Sequence, residues 1–211
     1  MKTSSLSNNN VLSTTYPILE IFSSFQGEGA WTLHPATFIR LAGCSVGCFW
    51  CDTKESWDVN AGKPLTVKEI IGTVTKMGKE IVIITGGEPL EHDLTNLTIA
   101  LKNAGFKVHL ETSGSSPLTG TFDWITLSPK KFKLPLPEIY PLASELKIIV
   151  HNRHDLTFAL EQASKVSADC MLFLQPQWSV RKKVLPLIVE FIQKHPEWIM
   201  SLQTHKYLNV P

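Results

Sequence analysis

Short apolar runs alternate with more polar segments along most of the chain, and this alternation predicts its fold. Six runs have the length of buried strands; they cover residues 81–85, 107–111, 124–127, 146–150, 171–174 and 198–202. Between some of them lie helix-like segments at residues 93–104, 155–166 and 180–194. About six strands separated by helices or loops predict an α/β fold with a mostly parallel sheet. A complete eight-fold barrel usually needs about 250 residues, so the 211 residues of this chain predict an incomplete, open TIM-like barrel.

The elements nearer the amino terminus carry clear boundary signals. Apolar residues 18–22 and 37–41 predict two strands that flank a glycine-bearing turn, Gln26-Gly27-Glu28-Gly29. Thr66-Val67-Lys68-Glu69 has the pattern of a capping box, which predicts a helix from there towards Met77. Gly105 can adopt the left-handed C-cap conformation and so predicts the end of the helix at residues 93–104. Pro186 predicts either a kink or the true start of the last helix.

Composition predicts one folded domain and gives no reason to expect nucleic acid or a membrane as a partner. Residues 1–15 are rich in Ser, Asn and Thr and predict a disordered arm before a domain over residues 16–211. With 43% apolar residues and a net charge of +1, the chain can bury one sizeable core, and its charge gives no reason to expect nucleic acid. No apolar run approaches the ~20 residues of a membrane span, and the first ten residues lack a signal-peptide core. We therefore expect a cytoplasmic protein without a membrane partner.

Three cysteines, Cys44, Cys48 and Cys51, have the spacing C-x3-C-x2-C. A four-iron cluster normally takes four thiolates, so three predict a 4Fe–4S cluster with one iron open to a ligand that is not protein. Zinc would need a fourth soft ligand, and the nearest upstream histidine, His34, is ten residues before Cys44. Disulfides would need pairs. The spacing favours a cluster, with zinc and reactive or structural thiols as the alternatives; Cys170 predicts a buried core thiol.

Polar and glycine-rich segments follow several predicted strands. They are Thr85-Gly86-Gly87-Glu88-Pro89, Glu111-Thr112-Ser113-Gly114, Ser128-Pro129-Lys130 and Gln175-Pro176. Each alone is compatible with a turn, although paired glycines also let the backbone approach a ligand closely. The carboxyl ends of parallel strands meet at one edge of the sheet, where such folds bind their ligands. The repetition of these segments therefore favours a binding site.

Together these segments resemble the 7-carboxy-7-deazaguanine synthase family of the radical S-adenosylmethionine (SAM) superfamily. The cysteine spacing and Gly86-Gly87-Glu88-Pro89 are similar to the cluster-binding and SAM-binding motifs of the superfamily. The resemblance to the family rests on further segments, at residues 25–29, 38–44, 50–53, 111–114, 128–130 and 203–211. The chain departs from the family in its first fifteen residues and in its compact length between Lys130 and Glu145.

The resemblance implies a radical SAM core and a carbon–nitrogen lyase activity. The reaction would contract the ring of 6-carboxy-5,6,7,8-tetrahydropterin to give 7-carboxy-7-deazaguanine and ammonia, a step of queuosine biosynthesis. The implied cofactors are a 4Fe–4S cluster, SAM and Mg²⁺; an electron from the cluster would convert SAM to a 5′-deoxyadenosyl radical that takes hydrogen from C6 of the pterin. The implied partners are this small molecule, an electron donor such as flavodoxin or ferredoxin, and a second copy of the chain in a homodimer.

The resemblance also implies roles for individual residues. Cys44, Cys48 and Cys51 would bind the cluster, whereas Gly87, Ser113, Ser128, Pro129, Lys130 and Gln175 would contact SAM. Phe25, Gln26, Gly27, Arg40, Thr85 and Pro211 would bind the pterin, and the hydroxyl of Thr53 would bind Mg²⁺. These chemistries are reasonable: guanidinium grips carboxylate in a bidentate way, Mg²⁺ prefers oxygen ligands, and the carboxylate of a terminal proline can accept the two-donor N–H edge of a pterin.

Two other functions share some of these features. A glycyl-radical-enzyme activase uses the same cysteine spacing but acts on a large protein, whereas the Gln-Gly-Glu-Gly turn, Arg40 and Thr53 predict a site for a small anion. A non-catalytic iron–sulfur carrier or zinc module would need no SAM site. Activity with a purified pterin, and a SAM-dependent change in the EPR spectrum of the reduced cluster, distinguish these alternatives.

Overall fold

The computed structural model describes residues 8–211, and within them nine strands and six α-helices are formed. The strands are β1 (Thr15–Phe25), β2 (Pro35–Leu41), β3 (Lys63–Thr66), β4 (Ile81–Gly86), β5 (Lys107–Thr112), β6 (Trp124–Leu127), β7 (Glu145–Val150), β8 (Met171–Pro176) and β9 (Trp198–Met200). The helices are α1 (Asn8–Ser13), α2 (Val67–Met77), α3 (Thr95–Asn103), α4 (His154–Ala163), α5 (Arg181–Lys194) and α6 (Thr204–Leu208).

All nine strands belong to one sheet in the order β3-β1-β2-β4-β5-β6-β7-β8-β9. From β2 to β9 every neighbouring pair is parallel, whereas β1 pairs antiparallel with both β2 and β3. The described sheet therefore ends at β3 and β9 without closing. This confirms the prediction of an α/β fold with a mostly parallel sheet and an incomplete barrel.

The six apolar runs correspond to β4–β9 and the two earlier runs to β1 and β2, so one strand of the sheet was not predicted. The missed strand, β3, contains the polar and proline-bearing sequence Lys63-Pro64-Leu65-Thr66, which gives no apolar run. Proline is tolerated there because β3 lies at the edge of the sheet, where one side of the strand has no partner.

The core lies between the sheet and its helices, and the sequence pattern explains which faces are buried. Val82, Ile83 and Ile84 on the central strand β4 are all fully buried, as expected of a parallel strand covered on both faces. Helix α2 begins with the predicted capping box: Glu69 N–H donates to Thr66 Oγ1 at 3.2 Å, and Thr66 N–H donates to Glu69 Oε2 at 2.8 Å. This box holds the helix start at the end of β3.

The start of the described chain differs from the predicted disordered arm. Residues 8–13 form α1, and β1 begins at Thr15. Val11 is 8% exposed and joins the core, and Asn96 Nδ2 donates to Thr14 Oγ1 at 2.8 Å. The prediction is therefore wrong for residues 8–15, because Val11 packs into the core and docks this short helix. Residues 1–7 lie outside the described residues.

Helix α5 passes through Pro186. It begins at Arg181, five residues earlier, so the proline does not mark its start. Pro186 lacks one backbone donor, but it lies in the second turn, where only one intrahelical hydrogen bond is lost.

Candidate active site

Two adjoining cavities open at the carboxyl ends of the parallel strands. The first, about 370 Å³ in volume, contains the three closely spaced cysteines and is called the cysteine cavity below. The second, about 430 Å³, contains Arg40 and is called the Arg40 cavity. Both are lined by Glu28, Cys51, Asp52, Thr85, Gly86, Glu111 and Lys206. They therefore form one continuous cleft.

Cys44, Cys48 and Cys51 follow β2 in a loop, and all three line the cysteine cavity as free, half-buried thiols. Burial raises the pKa of Cys48, and the charge of Lys130 partly offsets this effect. A cation beside thiols favours the thiolates that iron binds. Among residues 8–211, no group of three or more His, Cys, Asp and Glu is compact enough to hold one metal ion, whereas a cluster binds each thiolate through a different iron. The three thiols therefore fit a cluster.

The glycine pair after β4 lies directly against the cysteine loop. Gly87 N–H donates to Leu41 O at 2.9 Å, and the next N–H, of Glu88, donates to Gly43 O at 2.9 Å. A Cβ added at Gly87 would lie 2.1 Å from Gly43 O. Only glycine allows this approach, so the backbone that faces the cleft lies next to the cysteines because residue 87 has no side chain.

Glu88 connects the ends of two neighbouring strands beneath the cysteine cavity. It is 2% exposed, and its Oε2 accepts hydrogen bonds from Ser113 N–H at 2.8 Å and Ser113 Oγ at 2.5 Å. Its other oxygen accepts from Thr112 Oγ1 at 2.5 Å. The carboxylate thus fixes the segment after β5, which the sequence predicted as part of the site.

The remaining predicted SAM contacts come from β6 and β8. Ser128 and Lys130 line the cysteine cavity, and Lys130 Nζ donates to Ser128 O at 2.5 Å and Ser128 Oγ at 2.7 Å. Gln175 also lines this cavity and accepts from Ser201 Oγ at 2.8 Å. Pro129 is buried between its neighbours and lines neither cavity. A half-buried lysine near the thiols is suited to an anionic ligand group.

The residues predicted to bind substrate and magnesium meet in the Arg40 cavity. Its lining includes Phe25, Gln26, Gly27, Arg40, Thr53, Thr85 and Pro211. Arg40 Nε donates to Glu20 Oε1 at 2.6 Å, so its guanidinium already has one carboxylate partner. Thr53 Oγ1 lies 3.5 Å from Asp52 Oδ1. Ser24 Oγ donates to a backbone oxygen of Pro211 at 2.6 Å. Residues far apart in sequence are therefore brought into one cavity.

Helix α6 reaches this cavity by docking on the glycine-bearing turn. Thr204 N–H and Oγ1 both donate to Gly27 O, at 2.9 and 3.0 Å. A Cβ added at Gly27 would lie 1.9 Å from His205 Nδ1. Gly27 thus leaves the space that His205 occupies, which explains the need for glycine at this position.

Sequence analysis missed the charged cluster where the two cavities meet. Lys147 on β7 lies between Glu28 and Glu111, with its Nζ 2.6 Å from Glu28 Oε2 and 2.8 Å from Glu111 Oε2. The signal was a lysine within the otherwise apolar run Leu146–Val150, because a lysine in a buried strand requires a counter-charge. Its partners lie 119 and 36 residues away in sequence, so the sequence alone did not identify them.

Comparison with known proteins identifies the chemistry of this cleft. Residues 38–130, from β2 to Lys130, match the model of the radical SAM superfamily. The chain is 51% identical to the 7-carboxy-7-deazaguanine synthase of Flavobacterium psychrophilum over 195 residues, which cover 92% of both chains.

The chain belongs to the 7-carboxy-7-deazaguanine synthase family.

Other members of the family agree over nearly the whole length. The synthase of a Synechocystis species is 50% identical over 96% of this chain and 97% of its own length. The crystal structure of QueE from Escherichia coli is 32% identical, with a TM-score of 0.85 over 95% of this chain and all of that one. The protein is thus a radical SAM enzyme that uses a 4Fe–4S cluster and SAM, as predicted. No helix within residues 8–211 is long and apolar enough to span a bilayer.

Proposed function

We propose that this 7-carboxy-7-deazaguanine synthase family member converts 6-carboxy-5,6,7,8-tetrahydropterin to 7-carboxy-7-deazaguanine and ammonia. The observation that carries the proposal is the continuous cleft, in which three cysteines face one cavity while Arg40, Thr53 and Pro211 line the adjoining one. Relatives up to 51% identical bear the name of this synthase. The small-molecule product of that name suits a cleft of this size.

The cofactor side of the proposal uses residues of the cysteine cavity. When bound, the cluster and SAM would supply the radical chemistry for removing a hydrogen atom from the substrate. Cys44, Cys48 and Cys51 hold the cluster. The cation of Lys130 binds the carboxylate of SAM, and the backbone at Gly87 binds its amino group. Ser113, Ser128 and Gln175 complete the contacts to SAM, and Pro129, which lines neither cavity, connects Ser128 to Lys130.

The substrate side uses residues of the Arg40 cavity. Arg40 binds the carboxylate of the pterin, for which its guanidinium can use the donors that Glu20 leaves free. Thr53 would contribute its hydroxyl to Mg²⁺, which prefers oxygen ligands. Phe25, 42% exposed at the cavity wall, offers an aromatic surface to the pterin ring. Gln26, Gly27, Thr85 and Pro211 complete the substrate contacts.

The protein's task is to hold the radical carbon and the substrate hydrogen in contact and to keep other hydrogen donors away. Helix α6 contributes to this task because Lys206 lines both cavities and donates to Asp52 Oδ2 at 2.8 Å. The contact joins the cysteine loop to the carboxyl-terminal segment across the cleft.

Three further properties complete the proposal. The enzyme acts in the cytoplasm, where a reducing environment suits free thiols. It receives electrons from a flavodoxin or ferredoxin, and two copies form a homodimer. Sedimentation of the purified protein tests the dimer, and replacement of a chemical reductant by each donor tests the electron source.

An anaerobic assay tests the function directly. The reconstituted protein is reduced and incubated with SAM, Mg²⁺ and the carboxytetrahydropterin, and the products are identified by mass. The expected result is 7-carboxy-7-deazaguanine with many turnovers per SAM consumed. SAM cleavage without a deazapurine product would reject this substrate while retaining the radical SAM assignment.

A further inference from the structure

A buried ion network lies at the junction of the two cavities. The side chain of Lys147 is 4% exposed, and those of its partners Glu28 and Glu111 are 17% and 18% exposed. Surface ion pairs contribute little to stability, but removing one partner of a buried pair leaves an uncompensated charge. Because any rearrangement would leave a buried charge unpaired, these ion pairs favour a single geometry of the network.

Each carboxylate is held through both of its oxygens. Lys147 donates to one oxygen of each. Gln203 Nε2 donates to Glu28 Oε1 at 2.9 Å, and Gln26 Nε2 donates to Glu111 Oε1 at 2.9 Å. A carboxylate has about four acceptor sites, so both groups keep acceptor capacity. Since Glu28 and Glu111 line both cavities, that capacity is available to a ligand in the cleft.

The network keeps Glu28 charged. Burial alone would raise the pKa of Glu28, but the charge and hydrogen bond of Lys147 outweigh burial and lower this pKa to about 2. Burial alone would lower the pKa of Lys147, but the charges of Glu111 and Glu28 raise it above its usual value. Both groups of the Glu28–Lys147 pair are therefore ionised at neutral pH.

The surrounding titratable groups leave the junction acidic. Burial raises the pKa of Glu145, on the same strand as Lys147, and burial lowers the pKa of His205 on α6; both shifts favour the uncharged form. Lys130, after β6, has its pKa lowered by burial and lies near Cys48. At the junction itself the ammonium of Lys147 faces two carboxyl groups, whereas the other lysines of the cleft, Lys130 and Lys206, are hydrogen-bonded to Ser128 and Asp52. Such a junction attracts N–H donors and repels carboxylates.

We propose that Lys147 is a positioning residue, which fixes the carboxyl groups of Glu28 and Glu111 as paired acceptors for the N–H groups of the substrate ring. This inference rests on the proposed function for the identity of the substrate. The junction and the cation of Arg40 then orient the substrate, because the ring N–H groups that Pro211 does not contact point to the junction and the carboxylate points to Arg40.

Two variants separate positioning from general structural support. Lys147→Met removes the charge at similar volume, and Lys147→Arg keeps the charge. Lys102→Met is the matched control, since Lys102 pairs with Asp123 at 2.5 Å outside both cavities. The reconstituted holoenzymes are compared in iron content, SAM cleavage without pterin, steady-state kinetics with the carboxytetrahydropterin, and fluorescence titration with 6-carboxypterin.

We expect Lys147→Met to raise KM for the pterin and Kd for 6-carboxypterin by about tenfold or more, a size typical of lost hydrogen bonds to charged groups. Iron content and SAM cleavage without pterin should stay within about twofold of wild type. The acid limb of the kcat/KM profile should move to higher pH, because Glu28 loses the cation that keeps it ionised. Lys147→Arg should recover most of the affinity, and Lys102→Met should match wild type.

Unchanged KM and Kd in Lys147→Met would overturn the inference. So would a parallel loss of iron and SAM cleavage, since that would show a structural role. The double variant Lys147→Met/Glu28→Gln adds a test of coupling, and simple addition of the two single effects would also count against a shared role.

The proposed function fails separately if the wild-type enzyme does not convert the pterin. In that case the binding titration alone decides the role of Lys147. Weaker binding of 6-carboxypterin by Lys147→Met would support the positioning of ring N–H acceptors, whereas equal binding, or none by the wild type, would overturn it.

Discussion

Arg40 both pairs with a neighbouring strand and lines the cavity proposed for the substrate. It stands on β2, between the core residues Ile39 and Leu41, which are fully buried, so strand alternation turns its side chain to the other face of the sheet. There it pairs with Glu20 and its guanidinium lies 5.6 Å from the ring centre of Phe22. The same side chain lines the cavity proposed for the substrate, so its orientation is set before a ligand arrives.

The cysteine assignments predict sharply different outcomes for two thiols. Cys48→Ala should abolish turnover and the SAM-dependent change in the EPR spectrum of the reduced cluster, because one cluster ligand is lost. Cys170→Ala should leave iron content and activity close to wild type, since Cys170 is 8% exposed in the hydrophobic core and outside both cavities. If Cys170 proved necessary for cluster assembly, the assignment of three ligands would be wrong.

The proposed magnesium ligand predicts a selective defect. Thr53→Ala should lower activity by about tenfold and weaken its dependence on added Mg²⁺, because one oxygen ligand is removed. Reductive cleavage of SAM should continue, since Thr53 lines the Arg40 cavity and is absent from the lining of the cysteine cavity. Thr53→Ser, which keeps the hydroxyl, is the matched control. An unaltered magnesium response in Thr53→Ala would exclude this residue from the metal site.

At the scale of elements, α6 and the residues after it complete the wall of the Arg40 cavity. Helix α6 is anchored at Gly27, and the left-handed Asn209, with φ of 54°, ends it. This backbone reversal directs Val210 and Pro211 into the cavity lining. Short helices gain little stability by themselves, so the contacts with the turn at Gly27 hold this one in place.

Extension of the chain beyond Pro211 should therefore affect substrate binding. A tag fused after Pro211 should raise KM for the pterin substantially, because it crowds the Arg40 cavity, which Pro211 lines. The same tag placed before Met1 is the control and should leave KM unchanged. Identical kinetics for the two tagged proteins would show that Pro211 does not contribute to the substrate site, and would leave the cluster assignment intact.

A smaller change tests the docking of α6 itself. Gly27→Ala should displace His205, since the added Cβ would lie 1.9 Å from its Nδ1. We expect faster hydrogen exchange in residues 204–208 and weaker pterin binding, with iron content unchanged. Gly72→Ala is a suitable control because its Cβ would meet no atom within 4 Å. Unchanged exchange in α6 would show that the helix docks without this contact.

At the scale of the whole molecule, the sequence predicted the parallel sheet and the edge at which the site lies. Apolar runs marked the strands because both faces of a parallel sheet are buried, and the polar segments after them marked the site because all those strands end at one edge. The strand β3 and helix α1 gave no such signal. The Lys147 network was also missed, because pairing between distant residues depends on the folded arrangement of strands and not on local pattern.

The buried carboxyl of Glu145 predicts how the stability of the fold varies with pH. Burial, with a contribution from the charge of Glu111, raises its pKa above the usual 4.5. Above the unfolded pKa, the unfolded chain releases this proton more readily than the folded chain, so the free energy of unfolding falls as pH rises towards the folded pKa. Glu145→Gln, whose side chain does not titrate, should remove this decrease in the free energy of unfolding.

Urea denaturation under anaerobic conditions checks the prediction. Relative to wild type, Glu145→Gln should gain stability between pH 5 and pH 8, with the larger gain at pH 8. Glu138→Gln, at an exposed position, should show no such trend. A difference between Glu145→Gln and wild type that does not vary with pH would contradict the expected titration of Glu145.

The hydrogen bond from Gln203 to Glu28 joins the segment after β9 to the turn after β1. It therefore affects the order in which the site can form while the chain is being synthesised. A chain released from the ribosome only as far as residue 176 already contains the three cysteines, the glycine pair, Gln175 and most of the other residues that line the cysteine cavity. The Arg40 cavity still lacks His205, Lys206 and Pro211 at that stage. Folding that proceeds during synthesis therefore leaves the cysteines accessible from the side of the missing segment, so that iron can be inserted before the last residues close the cleft.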